Sequence, residues 1–148
     1  MFKNNFGSAL SMSLMVIALV FGVSFATQWT LSGKLPSAYD PGVSLEEAVK
    51  TSDKPLLIEF YSDTCATCQA VTPIVHRTIE QHFKNAVTVV MVDTEDPKAA
   101  QTVEMFGVTA IPALFVLDAR TVKKTALPFD SYGNPPALKT EITKALAT

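Results

Sequence analysis

The sequence has little of what many functional sites require. Its 148 residues include only two cysteines and two histidines. Twelve basic and fourteen acidic residues give a net charge of −2, which excludes the strongly basic surface that binds nucleic acid. The chain also lacks internal repeats and low-complexity segments. Its length allows one domain with some residues to spare.

The scarcity of histidine argues against a zinc site. The available ligands are Cys65, Cys68, His76 and His82. Their spacing differs from that of zinc fingers, in which about 12 residues separate the two ligand pairs. On a regular helix the two histidines also point away from each other. We interpret both histidines as solvent-facing and expect no metal, with zinc kept as an alternative for the cysteines.

Charge is missing from a long stretch near the N-terminus. No Asp, Glu, Lys or Arg lies between Asn4 and Gly33. A bilayer crossing needs about 20 mostly apolar residues, so residues 1–33 are predicted to form a single transmembrane anchor. Lys3 favours an N-terminus that stays in the cytoplasm. A signal peptide cleaved after Ser24-Phe25-Ala26 is the alternative, and it would make the protein secreted.

The domain boundary is predicted just after this segment. Residues 34–43 contain two prolines and a glycine, which is typical of a linker. The globular domain is therefore expected to span residues 44–148. In both alternatives for the N-terminus this domain faces an extracytoplasmic space, the periplasm or the thylakoid lumen.

The rest of the sequence alternates between helical and strand patterns. Apolar runs rich in β-branched residues predict strands, and apolar residues at three- and four-residue steps predict helices. The predicted strands cover residues 56–61, 87–93, 113–118 and 123–127. The predicted helices cover about 44–51, 66–82 and 96–106, and a last one begins at Asn134-Pro135. This order predicts an α/β fold with a mixed sheet and helices on both faces.

The two cysteines lie three positions apart, between a predicted buried strand and a predicted helix. Unpaired backbone N–H groups and the helix dipole at this junction favour a thiolate at Cys65. Cys68 lies one turn further, where it can close a ring by oxidation and reopen it by exchange. A structural disulfide is the alternative, but so short a loop constrains the unfolded chain little.

The segment from about Val43 to Ala147 resembles the thioredoxin superfamily. The resemblance rests on a strand, Ile58–Tyr61, followed by Cys65-Ala66-Thr67-Cys68, on Pro73 five residues beyond, and on Ile111-Pro112 before the third strand. The membrane-tethered thiol:disulfide interchange proteins of bacteria and thylakoids are the most similar in outline. Two features differ from the family, since Thr64 replaces its usual tryptophan and Ala66-Thr67 replaces its Gly-Pro pair.

The resemblance implies roles for individual residues. Cys65 and Cys68 would be the catalytic, redox-active pair. Ile111 and Pro112 would form a cis-proline loop that binds an extended substrate segment, and Thr64 would belong to the same docking surface. A trans proline that opens a strand is the alternative.

Glu59 matches the buried carboxylate of the family, which takes the proton of the resolving cysteine. The alternative is a glutamate at the sheet edge that reaches solvent. No organic cofactor is implied, because the two sulfurs carry the electrons.

These features predict a tethered protein thiol–disulfide oxidoreductase that reduces protein disulfides and is recharged by an upstream thiol protein, possibly in the membrane. A disulfide-forming oxidase or isomerase is the first alternative. A non-enzymatic tethered module that binds protein or a soft metal is the second.

Overall fold

The computed structural model describes residues 44–147, which form a sheet flanked by helices. The helices are α1 (Leu45–Thr51), α2 (Ala66–His82), α3 (Ala100–Phe106) and α4 (Pro135–Leu146). The strands are β1 (Leu56–Tyr61), β2 (Thr88–Asp93), β3 (Ala113–Asp118) and β4 (Lys123–Ala126). Short 3-10 turns cover Pro97–Ala99 and Phe129–Ser131. The predicted strands and helices are present, most with ends within one residue of those expected.

Side-chain caps decide where several helices begin. Ser44 accepts a hydrogen bond from the backbone N–H of Glu47 at 3.2 Å, as the capping-box spacing predicted. Asn134 accepts from the N–H of Ala137 at 3.3 Å, and prolines follow it in the first turn of α4. Gly107 ends α3 in the left-handed region at φ 66°, a conformation that glycine adopts without steric strain.

One predicted helix differs from the structure. Residues 96–106 were expected to form a single helix, but a 3-10 turn precedes the α-helix. Asp96 caps that turn by accepting from the N–H of Lys98 at 2.9 Å, two residues on. This tight local bond favours the narrower helix in the first turn, and the regular α-helix begins only at Ala100.

The sheet is mixed, with strand order β2-β1-β3-β4. β1 runs parallel to β2 and antiparallel to β3, and β3 runs antiparallel to β4. All six residues of β1 are buried, as expected for a central strand covered on both faces.

Each face of the sheet carries its own core. Leu57 of β1 packs with residues of α2 and α4, and these include Val75, Ile79, Leu138 and Ile142. Leu56, Ile58 and Phe60 point to the other face and pack with residues of α1 and α3, including Ala48 and Phe106. The alternation of side chains along β1 therefore places Leu57, Glu59 and Tyr61 on the face that α2 covers.

The predicted anchor and linker, residues 1–43, lie outside the described residues. Among residues 44–147, none of the helices combines the length and the apolar character that a bilayer crossing requires.

Candidate active site

The end of β1 and the start of α2 position the two cysteines at one edge of the sheet. Cys65 is the N-cap of α2, and its Sγ accepts a hydrogen bond from the backbone N–H of Cys68 at 3.1 Å. The two residues are joined by a disulfide with Cα atoms 5.2 Å apart. Cys65 is half-buried, whereas Cys68 is 0% exposed. The outer sulfur is therefore the one that a partner protein can reach.

The loop that leads into the dithiol is held by hydrogen bonds. The hydroxyl of Thr64 donates to Glu95 Oε1 at 2.8 Å and lies 2.9 Å from the hydroxyl of Ser62. The side chain of Gln69 donates to the carbonyl of Asp63 at 2.7 Å. The hydrogen bond from Thr64, and then that from Ser62, lowers the pKa of Glu95. Glu95 is therefore an ionised carboxylate that anchors the residue just before Cys65.

The proline loop lies against the dithiol. The peptide bond between Ile111 and Pro112 is cis. Ile111 is half-buried and packs, together with Cys65, against a buried cluster of Tyr61, Cys68 and Met91. A cleft of about 350 Å³ runs along residues 107–113 and is bordered by the exposed ring of Phe129.

Glu59 lies between β1 and α2, fully buried, with both carboxylate oxygens bonded. The hydroxyl of Thr72 donates to Oε1. The Nε2 of His76 is 2.8 Å from Oε2. Thr72 is 0% and His76 3% exposed, so the three side chains form a polar network inside the domain.

The expectation that both histidines face solvent is wrong for His76. His82 is exposed, but His76 is enclosed between α2 and the sheet. The cause is tertiary, because the buried carboxylate of Glu59 gives the imidazole a hydrogen-bond partner inside the protein. The imidazole of His76 on α2 is thus hydrogen-bonded to the carboxylate of Glu59 on β1, inside the domain. In the part of the chain that the structure describes, no group of three or more His, Cys, Asp or Glu residues is arranged to hold a metal.

Tyr61 contributes an apolar wall to the site. Burial, followed by the charges of Asp93, Asp63 and Glu59, raises the pKa of Tyr61 to about 12. Its hydroxyl is therefore neutral at physiological pH and adds no charge beside Cys68.

A disulfide at a helix N-terminus, with its inner sulfur buried and a cis-proline beside it, defines a protein of the thioredoxin fold with a Cys-x-x-Cys site. The sequence profile of the family described as Thioredoxin matches residues 41–131, which is more than half of the chain. Thioredoxin 1 of Chlorobaculum tepidum is 30% identical over 107 residues, which cover 70% of this chain and 96% of that protein. The chain belongs to the thioredoxin family.

Other relatives match only part of this chain. The thioredoxin-like protein HCF164, chloroplastic, of Arabidopsis thaliana is 40% identical over 73 residues, or 49% of this chain. That match spans 27% of the HCF164 protein, and the rice HCF164 protein is matched over the same fraction of its length. The crystal structure of the thioredoxin of Malassezia sympodialis superimposes on 70% of this chain, and the superimposed part is 86% of that thioredoxin. The sequence identity is 20% and the TM-score is 0.56. This structural similarity to the Malassezia thioredoxin supports the fold alone.

Three residues of the site were not identified from the sequence. Thr72 and His76 follow Cys68 at four-residue steps, a spacing that places all three within about 80° of one another around a helix. The spacing is a signal for a shared face of the helix, but it does not show that this face is buried. Glu95 is 31 positions from Thr64 and gives no local signal.

Proposed function

We propose that the protein is a thiol–disulfide oxidoreductase that reduces disulfides of proteins in an extracytoplasmic compartment. The observation that supports this most directly is the position of the two sulfurs. Sγ of Cys65 is half-buried and faces the N–H of Cys68, while the sulfur of Cys68 lies beneath it. An anionic sulfur at this helix terminus is stabilised by the backbone dipoles.

The proposed reaction proceeds in two exchanges. In the first, the thiolate of Cys65 attacks a partner disulfide, and one partner sulfur leaves with the electron pair of the broken bond. In the second, Cys68 loses its proton and its sulfur attacks Sγ of Cys65. The bond between Cys65 and the partner then breaks, and the second partner sulfur leaves as a thiolate. The partner gains two electrons, and the protein ends with the Cys65–Cys68 disulfide.

Other residues would support these exchanges. Glu59 is proposed to accept the proton of Cys68, because it is a buried carboxylate on the face that α2 covers. Ile111, Pro112 and Thr64 are proposed to contact the partner, since they lie around the half-buried sulfur. The cleft beside residues 107–113 would accommodate the partner segment that carries the disulfide. An upstream thiol protein would return electrons to the pair.

The activity is tested by insulin reduction with the whole chain. The wild type should reduce insulin disulfides with dithiothreitol as the electron source. Cys65→Ser should lower the rate to the background of dithiothreitol alone, because the attacking sulfur is gone. Equal rates in the two proteins would exclude the enzyme and favour a binding module. Cys68→Ser should accumulate a mixed disulfide with its partners, which identifies them.

The direction of electron flow is tested by the reduction potential of the pair. A value near −270 mV, about that of thioredoxin, is expected for a reductase. A value near −120 mV would instead favour an oxidase.

The location is proposed from the uncharged N-terminal stretch. Residues 1–33 would hold the domain to a membrane, with the dithiol in the periplasm or the thylakoid lumen. Carbonate-washed membranes should retain the whole chain with its original N-terminus. Recovery of a shortened protein in the soluble fraction would instead favour a cleaved signal peptide.

A further inference from the structure

The polar network behind the dithiol is unusual for the interior of a small domain. Glu59, Thr72 and His76 are all at least 97% buried, yet each carries a polar or ionisable group. Moving a carboxylate and an imidazole out of water costs several kcal/mol unless their hydrogen bonds are satisfied. An apolar trio of the same volume would fill this space without that cost. Packing alone therefore does not account for the two polar residues that contact Glu59.

The network begins one helical turn from the buried sulfur. Cys68, Thr72 and His76 follow one another at four-residue intervals on α2, about 6 Å apart along the axis. Glu59 precedes Tyr61 by two positions on β1, so both side chains point toward α2. Tyr61 packs in one cluster with Cys68. Thr72 and His76 thus continue the stripe of α2 that carries Cys68, and Glu59 faces this stripe from β1.

Among the described residues, His76 is the ionisable side chain that is hydrogen-bonded to Glu59. Its neighbours across the sheet are Met91 on β2 and Leu114 on β3, neither of which ionises. Two phenols, Tyr61 and Tyr132, interact with its charge. The pKa of each is raised, mainly by burial, so both are neutral near pH 7.

The last helix packs against α2 through apolar side chains. α4 faces α2 through Leu138 and Ile142, which pack with Val75 and Ile79. The stripe of α2 therefore has Cys68 at one end and His76 at the other, and each of these side chains can carry a proton.

We propose that Thr72 and His76 are positioning residues that keep Glu59 able to accept the proton of Cys68. A carboxyl group buried without partners takes the neutral form, which cannot accept a proton. Hydrogen bonds donated to a carboxylate favour its ionised form. The Thr72 hydroxyl donates to one oxygen. The Nε2 of His76 lies 2.8 Å from the other and donates to it in the tautomer that carries the proton on this nitrogen. Each oxygen keeps a lone pair for the incoming proton.

The inference rests on the proposed function, because it concerns the second exchange of that reaction. In that step the thiol proton of Cys68 passes to Glu59. The electron pair left on Cys68 forms the bond to Sγ of Cys65, and the bond from Cys65 to the partner sulfur breaks. Loss of Thr72 or His76 should slow this step and leave the first exchange intact.

The two exchanges can be separated with the reduced whole chain and 5,5′-dithiobis(2-nitrobenzoate) in excess. Attack by Cys65 releases one thionitrobenzoate and leaves the other on Cys65. Attack by Cys68 on that mixed disulfide releases the second. The two releases are followed by absorbance in a stopped-flow instrument as a function of pH.

The expected result is specific to the second release. At pH 7, His76→Leu should slow it by about tenfold or more, and by at most the roughly 10²–10⁴-fold that a general base contributes. The pH profile of the second release should also differ from that of the wild type, because one of the two hydrogen bonds to Glu59 is missing. His76→Gln keeps an N–H donor near the position of Nε2 and should stay within about threefold of the wild type. Thr72→Val, which preserves shape, should also slow the second release.

The matched control is His82→Leu, an equivalent change at an exposed position of the same helix. It should change neither release. The first release should remain within about twofold in every variant, since none of them alters Cys65 or its N–H donor. This separates a positioning role from general damage to the fold, which would slow both.

The outcomes distinguish the inference from the function on which it rests. If His76→Leu and Thr72→Val both keep the wild-type second release and its pH profile, the positioning role is wrong and the oxidoreductase stands. If His76→Leu does not fold, the rate of the second release in Thr72→Val tests the positioning role: a slower release supports it, and a wild-type rate contradicts it. If the wild type gives no second release that depends on Cys68, the proposed function itself is wrong.

Discussion

At the scale of single residues, the buried polar side chains of the domain are all hydrogen-bonded among residues 44–147. Within residues 44–147 every buried side-chain nitrogen or oxygen has a hydrogen-bond partner. Tyr132 is an example away from the dithiol. Its hydroxyl accepts from the backbone N–H of Leu114 at 2.8 Å and donates to the carbonyl of Leu127 at 3.0 Å. One phenol therefore connects β3 to the residue that follows β4.

Tyr132→Phe should destabilise the domain. The substitution keeps the ring but leaves the buried N–H of Leu114 without this acceptor, a loss of about 1–3 kcal/mol. Urea unfolding should show a lower midpoint with an unchanged slope.

Thr143→Ala is the matched control for this change. It removes a hydroxyl that donates to the carbonyl of Lys139 on an exposed helix face. Its effect should stay within about 0.5 kcal/mol, because water replaces the lost bond. If Tyr132→Phe were as stable as the wild type, water would have to reach the N–H of Leu114 and the carbonyl of Leu127.

The same scale shows why part of the site could be predicted and part could not. Cys65 and Cys68 are recognisable because their spacing and their place between strand and helix are local properties of the sequence. The burial of His76 depends on Glu59, 17 positions away on another element. The contact of Thr64 with Glu95 likewise joins two loops. Periodicity describes one element at a time and gives no such pairs.

At the scale of elements, local chemistry located most ends correctly. The apolar run of β1, the proline after Asn134 and the glycine at 107 marked real boundaries. In the turn between β3 and β4, Asp118 accepts a hydrogen bond from the backbone N–H of Arg120 at 2.9 Å. The sequence did not reveal that Val122 has a φ of 57°. A β-branched residue is strained in this left-handed region.

Val122→Asn should therefore stabilise the β3–β4 turn. Asparagine tolerates the left-handed conformation, whereas a branched side chain there costs about 1–2 kcal/mol. The side chain of Val122 is 78% exposed, so little apolar burial is lost. The free energy of unfolding in urea should rise by about 1 kcal/mol. Val122→Thr keeps a β-branched side chain and should leave the free energy of unfolding unchanged. If Val122→Thr raised it as much as Val122→Asn, backbone strain at residue 122 would not be the explanation.

At the scale of the whole molecule, the pattern of strands and helices predicted the class of fold but not the pairing. The nearly continuous apolar run at residues 56–61 predicted a buried strand, and β1 is fully buried and lies inside the sheet. The pattern did not show that β3 lies between β1 and β4, which depends on contacts between distant segments. The two cores, one on each face of β1, then follow from the alternation of its side chains.

The domain should function without the residues before it. Both cores, the dithiol, the cis-proline and the network around Glu59 lie within residues 44–147. A fragment of residues 44–148 should therefore fold cooperatively and reduce insulin with a kcat/KM within about twofold of the whole chain in detergent.

The same fragment carrying Cys65→Ser separates chemistry from folding. It should unfold with the same urea midpoint as the reduced fragment but should not reduce insulin. A fragment that fails to fold would show that the domain boundary lies earlier than residue 44. A fragment that folds but loses activity toward insulin would show instead that residues 1–43 contribute to substrate binding, because the dithiol and its partners would still be in place.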